Sequence, residues 1–318
     1  LFSFQDKRQY FSQTSQAKIT RRMTMNNEIY HFKIGRVECI AVSDGTLTYT
    51  SPTFPPPATL LFTNAPKEGL EQVLIQHNLQ PEQWIEWTSP YICLVAKTDD
   101  HLVLVDTGAG DLAPTTGRLM QNLQKARVAP DEIDTVILTH GHPDHIGGNI
   151  DADGKPAFPY ARYVMWKEEW DFWTSDQAEQ KLDEHVREIL VKFARENLPP
   201  IQGKVALFDR EEEIVPGIRA VAAPGHTPGH MALEISSEGE HLMCISDAAL
   251  HPIHLEQPEW YAVVDFAPNQ AVATRRQILQ TIASQKALML AFHFPFPGLG
   301  YIDVKDDGWQ WQPLETAS

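Results

Sequence analysis

One heptapeptide, Thr139-His140-Gly141-His142-Pro143-Asp144-His145, constrains this chain more than any other stretch. Three imidazoles and a carboxylate fall within six positions, directly after the apolar run Val136-Ile137-Leu138. That run reads as a buried strand, so the polar groups stand at its end. Crowding four metal-capable side chains strips them of solvation and sets protonated histidines against one another; a divalent cation that neutralises and orients them resolves both problems. His140 and His142, alternating as the chain leaves the strand, project toward one point, and Asp144 and His145 on the next bend face a second. One loop can then serve two metals. A surface His-rich turn is the bland alternative, and this ordered set of offsets disfavours it.

A hydrolytic zinc ion takes three protein ligands and keeps a position open, so other segments must contribute. They do so at the ends of further apolar runs. Ala220-Val221-Ala222-Ala223 leads into Pro224-Gly225-His226-Thr227-Pro228-Gly229-His230, a tight turn whose final imidazole is expected to point back at the sheet. Leu242-Met243-Cys244-Ile245-Ser246 leads into Asp247, a carboxylate able to bridge two cations, and Leu288-Met289-Leu290-Ala291-Phe292 leads into His293. Strand ends that converge on one edge form the pattern of an active site.

In this order Asp106, His140 to His145, His230, Asp247 and His293 resemble the motifs of the metallo-β-lactamase fold superfamily, between residues 100 and 301. The resemblance implies an α/β fold, a four-layer αβ/βα sandwich with metals in the groove between the sheets. It also implies one metal held by His140, His142 and His230, a second held by Asp144, His145 and His293, and Asp247 bridging them. His226 matches a turn position that the family does not use as a ligand, so it is expected as a supporting group or a plain hydrogen-bonded turn histidine. Asp106 is expected as a buried carboxylate bracing the metal loop. Two divalent ions, zinc first and iron, manganese or cobalt as alternatives, would activate a shared water and polarise the scissile group. Asp144 and Asp247 are the acids placed to pass a proton to the leaving group.

Within the superfamily, Ser246-Asp247-Ala248-Ala249-Leu250-His251-Pro252, Gln257-Pro258-Glu259-Trp260 and His293-Phe294-Pro295-Phe296-Pro297-Gly298 resemble the methyl-parathion-hydrolase-like and lactonase-like branch. That branch implies neutral, partly apolar substrates: lactones including acyl-homoserine lactones, aryl esters or organophosphate triesters. One lactonase group uses a Tyr three residues after the bridging Asp, where this chain has Leu250. Other readings stay open: a glyoxalase-II-like thioesterase, an iron-dependent oxidoreductase resembling persulfide dioxygenases, or a binding protein that lost its chemistry. The complete ligand set argues against the last.

A length of 318 residues with 42% hydrophobic content suits one large catalytic domain, residues 28 to 318, preceded by a polar arm, residues 1 to 27. A net charge of −16 leaves no basic stripe for nucleic acid and disfavours an anionic membrane. Three cysteines, Cys39, Cys93 and Cys244, lie in apolar runs and suggest no disulfide framework. No secretory segment is visible, so a cytoplasmic protein acting on a small molecule is expected, with the arm docked on its own domain or on a partner in a homodimer.

Along the body, Ile29 to Ile34 and Arg36 to Val42 read as a strand pair ending at a turn, Ser43-Asp44-Gly45. Residues 46 to 90 then read as a proline-stiffened excursion around a short helix, Glu68 to His77, ending near Trp84, Trp87 and Tyr91. Trp170, Phe172 and Trp173 follow the strand Tyr163 to Trp166; aromatics in such number are usually core, and Trp173, between site elements, is the one among them favoured to line a substrate cleft. Leu182 to Phe193 recur at helical spacing, with His185 on the solvated face. The second half repeats the alternation, closing with a helix from Pro268 to Gln285.

Overall fold

The computed structural model describes residues 28–182 and 184–315, apart from the side chains of 184–186. The N-terminal arm and the face assigned to His185 lie outside the described residues. The first seven-stranded sheet runs in sequence order: β1 (Ile29–Ile34), β2 (Val37–Thr50), β3 (Glu86–Lys97), β4 (Leu102–Val105), β5 (Thr135–Leu138), β6 (Arg162–Trp166) and β7 (Val205–Phe208). The second also has seven: β8 (Glu213–Val215), β9 (Ile218–Ala222), β10 (Met231–Ser237), β11 (Glu240–Cys244), β12 (Leu288–Leu290), β13 (Leu299–Lys305) and β14 (Gly308–Pro313). Pairing is antiparallel from β1 to β4 and parallel from β4 to β7. In the second sheet only β11 and β12 run parallel.

The four layers follow from which faces are apolar. Ala41, Leu94, Val105 and Ile137 of the first sheet meet Leu233, Leu242 and Leu290 of the second in one buried cluster. On the outer face of the first sheet, Leu104 and Val136 pack against Leu119, Leu123 and Val191, which lie on helices. Ile278, Leu279 and Ile282 of the helix Pro268–Gln285 cover the second sheet through Met243 and Met289. Strand β5 is buried at every position, because a parallel strand covered on both sides has no wet face. The three cysteines sit reduced within these layers, and among the described residues no helix is long and apolar enough to cross a membrane.

Three expectations need correction. Asp44-Gly45 is a bulge rather than a turn, and β2 continues through it to Thr50, paired with β3. The bulge persists because the buried Asp44 carboxylate accepts the backbone N–H groups of Ala109 at 2.8 Å, Gly117 at 3.1 Å and Leu119 at 2.8 Å. Burial pushes its pKa up to about 6. Gly45 is required there, since its φ is +111° and a Cβ would meet the Thr115 carbonyl at 2.1 Å. The excursion is therefore shorter, residues 51–85. It holds helices Pro57–Leu61 and Lys67–Gln76, and its Phe62 and Leu74 pack with Leu250 and Trp260.

Trp173 is the third. It is buried beneath the metal loop, and its indole N–H donates to Glu169 at 2.6 Å. An indole whose polar edge is satisfied inside the core lines no cleft.

Candidate metal centre

Both sheets deliver their chemistry at one edge. Asp106 follows β4 and His140 to His145 follow β5, from the first sheet; His226 and His230 lie between β9 and β10, Asp247 follows β11 and His293 follows β12, from the second. The structure gathers two groups whose ligand atoms lie within 4.8 Å of one another: His140, His142, His226 and Asp247, and Asp144, His145 and His293. Asp247 reaches both. Its Oδ1 is 3.2 Å from His145 Nε2 and 3.0 Å from His293 Nε2, and its Oδ2 is 3.2 Å from His226 Nε2 and 3.7 Å from His140 Nε2. Asp144 Oδ2 stands 3.6 Å from His293 Nε2 and 3.8 Å from His145 Nε2.

Such crowding inside a protein fits a cation better than any arrangement of protons. His140 Nε2, His145 Nε2 and Asp247 Oδ1 are buried with no hydrogen-bond partner among the described residues. Buried polar atoms are left orphaned at a cost of one to a few kcal/mol each, roughly, unless something satisfies them. Convergent imidazole nitrogens and carboxylate oxygens are the donor set of a divalent metal.

Comparison with known proteins agrees with this geometry. The pattern of the Metallo-beta-lactamase superfamily matches residues 87–291. The chain belongs to the metallo-beta-lactamase superfamily. Among its relatives, the N-acyl homoserine lactonase AiiA of Bacillus thuringiensis subsp. kurstaki is 25% identical over 226 residues, 64% of this chain and 81% of that protein. The solved structure of AidC, a dizinc quorum-quenching lactonase in complex with a product, is 29% identical with a TM-score of 0.82, covering 92% of this chain and 99% of AidC. The hydrolase AbOPH is 26% identical with a TM-score of 0.81, over 93% of this chain and 100% of AbOPH. These relatives place the chain on the lactonase-like branch of the superfamily, as an enzyme of hydrolase type.

The structure brings His140, His142, Asp144, His145, Asp247 and His293 together at this edge, with Asp106 against them. Asp106 braces the loop: its Oδ1 accepts the Thr139 amide at 2.7 Å, and its Oδ2 takes the Thr139 hydroxyl at 2.8 Å and His145 Nδ1 at 2.7 Å. A carboxylate on the far nitrogen of a ligand histidine fixes its tautomer and aims the near one.

The turn histidines exchange places relative to the expectation. His226 joins the cluster, with Nε2 3.0 Å from His142 Nδ1 and Nδ1 3.0 Å or less from a carboxylate, Asp265 Oδ1 at 2.8 Å. His230 has both nitrogens committed elsewhere: Nδ1 donates to the Ala223 carbonyl at 2.9 Å, and Nε2 accepts the Asp247 amide at 3.1 Å. The reason is register. Ala222 pairs with Met231, and the Ala223 amide bonds the His230 carbonyl, so His230 closes the ladder and its ring folds over its own turn. His226 stands at the outer bend, free to reach across.

Several supporting groups escaped the sequence reading. Glu169 is fully buried and clamps the two metal loops together, accepting Gly141 N at 2.9 Å and Gly229 N at 2.8 Å. Ser89 holds His293 through Nδ1 at 2.9 Å, and Ser246 meets the Thr139 hydroxyl at 2.9 Å. No spacing rule marks a lone Glu, Asp or Ser.

Electrostatics separates the rings. Burial, reinforced by neighbouring imidazoles, holds His140 and His142 well below the ordinary histidine value, so both are neutral, the form that binds metal. Burial also depresses His230, to about 3. His145 goes the other way: burial opposes its charge, yet Asp247, Asp106 and Asp144 prevail and push it up. Burial alone would raise Asp247, but His293, His145 and His140 hold it well below the carboxylate range. The carboxylates draw positive charge onto whatever lies between them.

Proposed function

We propose that this chain is a dinuclear metal-dependent hydrolase of neutral, partly apolar esters, with acyl-homoserine lactones as the leading substrate class and aryl esters or organophosphate triesters as further substrates. The observation that carries this reading is the sharing of Asp247 between two groups of ligand atoms, with Oδ2 beside His226, Oδ1 beside His145 and His293 within reach of both oxygens. His140, His142 and His226 would hold one cation, Asp144, His145 and His293 the other, and Asp247 both; zinc suits the nitrogen-rich set. Two bound divalent cations supply Lewis acidity to the scissile carbonyl or phosphoryl oxygen and lower the pKa of water toward neutrality.

The residues of the chain then divide the remaining work. Asp247 and Asp144 balance the cationic charge, and Asp106, Asp265 and Ser89 keep the ligand rings aimed. Asp144 is the most accessible of the carboxylates, 13% exposed against 4% for Asp247, and is placed to return a proton to the departing oxygen. No side-chain nucleophile is needed, and the buried cysteines are held too far up in pKa to serve as one.

The test combines metal analysis with turnover of an acyl-homoserine lactone, a γ-lactone, p-nitrophenyl acetate and a paraoxon-type triester, with a chelated control. Two zinc-like ions per chain and chelator-sensitive lactone opening are expected. Inactivity on every substrate with both metals verified would contradict the reading, and a single redox-active iron would move the chain to the dioxygenase class.

A further inference from the structure

Beside His293 two phenols meet. Tyr49 of β2 and Tyr91 of β3 bring their hydroxyls to 2.8 Å, although the strands that carry them belong to the sheet's antiparallel half and supply no ligand. Tyr91 is buried and stands edge-on to His293, ring centroids 5.5 Å apart. Tyr49 is partly exposed, and its ring is wedged between Trp87 at 5.1 Å and Phe54 at 4.7 Å. Three residues beyond Asp247, Leu250 packs with Phe62 and Trp260, and its side chain has no hydrogen-bond donor.

The arrangement is asymmetric. A buried hydroxyl such as that of Tyr91 must spend its proton inside the protein, and Tyr49 is the acceptor in reach. Tyr49 then has its own proton to give, and it stands close enough to the cluster for the charges of Asp144 and Asp247 to act on it. We propose that Tyr49 is a catalytic hydrogen-bond donor to the substrate oxygen on which negative charge develops, and that Tyr91 is a positioning residue that fixes the Tyr49 hydroxyl. This rests on the hydrolase reading above. A phenol carries its proton throughout the neutral range, so the donor is present there. Stacking on Trp87 and the tilted Phe54 ring restrain Tyr49, so the donor is preorganised rather than recruited. No bond to tyrosine forms or breaks: the proton stays on Tyr49, and the hydrogen bond strengthens as the oxygen becomes anionic.

The experiment compares the metal-loaded full chain with its Tyr49→Phe and Tyr91→Phe variants. Readouts are kcat and KM on an ester the wild type hydrolyses, calorimetric affinity for a phosphonate monoester that mimics the tetrahedral anion, zinc content, and melting of the metal-free chain. Tyr49→Phe should lower kcat by about 100-fold, the usual loss for one oxyanion donor, with KM within about threefold, and should weaken phosphonate binding by a similar factor. Zinc content and melting should not change. Tyr91→Phe should lose about tenfold in both, since the donor remains but is less well held. Wild-type kcat and phosphonate affinity in Tyr49→Phe would overturn the proposal, as would a loss confined to KM or one accompanied by lost zinc. A wild type that hydrolyses no ester counts against the hydrolase reading instead. The phosphonate comparison still decides then: weaker binding to Tyr49→Phe supports the donor, and equal or absent binding to both chains overturns it.

Discussion

Two regions of this molecule gather histidines, and only one of them has the makings of a metal centre. Around Asp247, the rings of His140, His145, His226 and His293 aim nitrogens at a shared carboxylate, and those of His140 and His145 have no hydrogen-bond partner among the described residues. Against the excursion, His251 and His254 pack edge-on to Phe62, with centroids 5.7 and 5.0 Å away. There one nitrogen of each ring serves the backbone: His254 Nε2 donates to the Leu61 carbonyl at 2.8 Å, and His251 Nδ1 accepts the Ile253 amide at 3.2 Å; His254 Nδ1 has no partner among the described residues, but no second imidazole shares a carboxylate with it. His77, beside them, faces Glu256 on its own at 3.0 Å. Imidazole density is therefore not the signature of a site. Convergence on a buried carboxylate is, because that alone creates a demand for positive charge which protons meet poorly.

The sharpest way to break this contrast is to remove the shared carboxylate. Asp247→Asn should cost several kcal/mol of transition-state stabilisation, about 10³-fold or more in kcat, with loss of one metal equivalent. Near wild-type rates would strip Asp247 of its bridging role. Next comes the exchange within the turn: His226→Ala should lose a metal equivalent and most activity, while His230→Ala should keep both metals and lose about 10- to 100-fold through a displaced Asp247 backbone. The opposite ranking, read by metal analysis after dialysis, would restore the assignment suggested by the sequence.

Glu169→Gln tests the clamp between the loops. An amide cannot accept at both ends where Gly141 and Gly229 donate, so metal affinity should fall by about 10- to 100-fold while the metal-free fold persists. Unchanged affinity in a competition titration with a chelator would make Glu169 a packing residue only.

The smallest effect belongs to the second histidine region. Burial depresses His251 to about 3, and burial with the Arg275 charge holds His254 well below its ordinary value. Both rings fold neutral, so the unfolded chain binds more protons once pH drops below about 6.5. Their contribution to stability is full above that value and is lost as pH falls, with a slope of at most about 1.4 kcal/mol per pH unit per ring. Chemical denaturation of the metal-free chain between pH 7.5 and 5, as rough bounds on the window, should show a shallower decline for His254→Gln than for wild type. Identical slopes would mean that His254 is not held neutral.

What could be read in advance follows the same division. The loop from His140 to His145 was legible because its ligands are local and the strand before it is apolar at every position. Asp247 and His293 were legible because each ends such a run. The choice between His226 and His230 was not, since it depends on the β9 to β10 register rather than on the residues of the turn. Asp44-Gly45 carried every mark of a turn; the amides that make it a bulge lie 65 to 75 positions onward. Glu169 and Asp265 were invisible for the same reason, as their partners stand 28, 60 and 39 positions away. Trp173 shows the converse error, in which an aromatic between site elements proves to be support for one.

The central claim is that one carboxylate gathers two cations through rings from both sheets. Anomalous diffraction at the zinc edge from crystals of the metal-loaded protein tests it directly. The account predicts two peaks flanking Asp247, one contacted by His140, His142 and His226 and the other by Asp144, His145 and His293. A single peak, or a peak bound by His230 with His226 turned away, would contradict it.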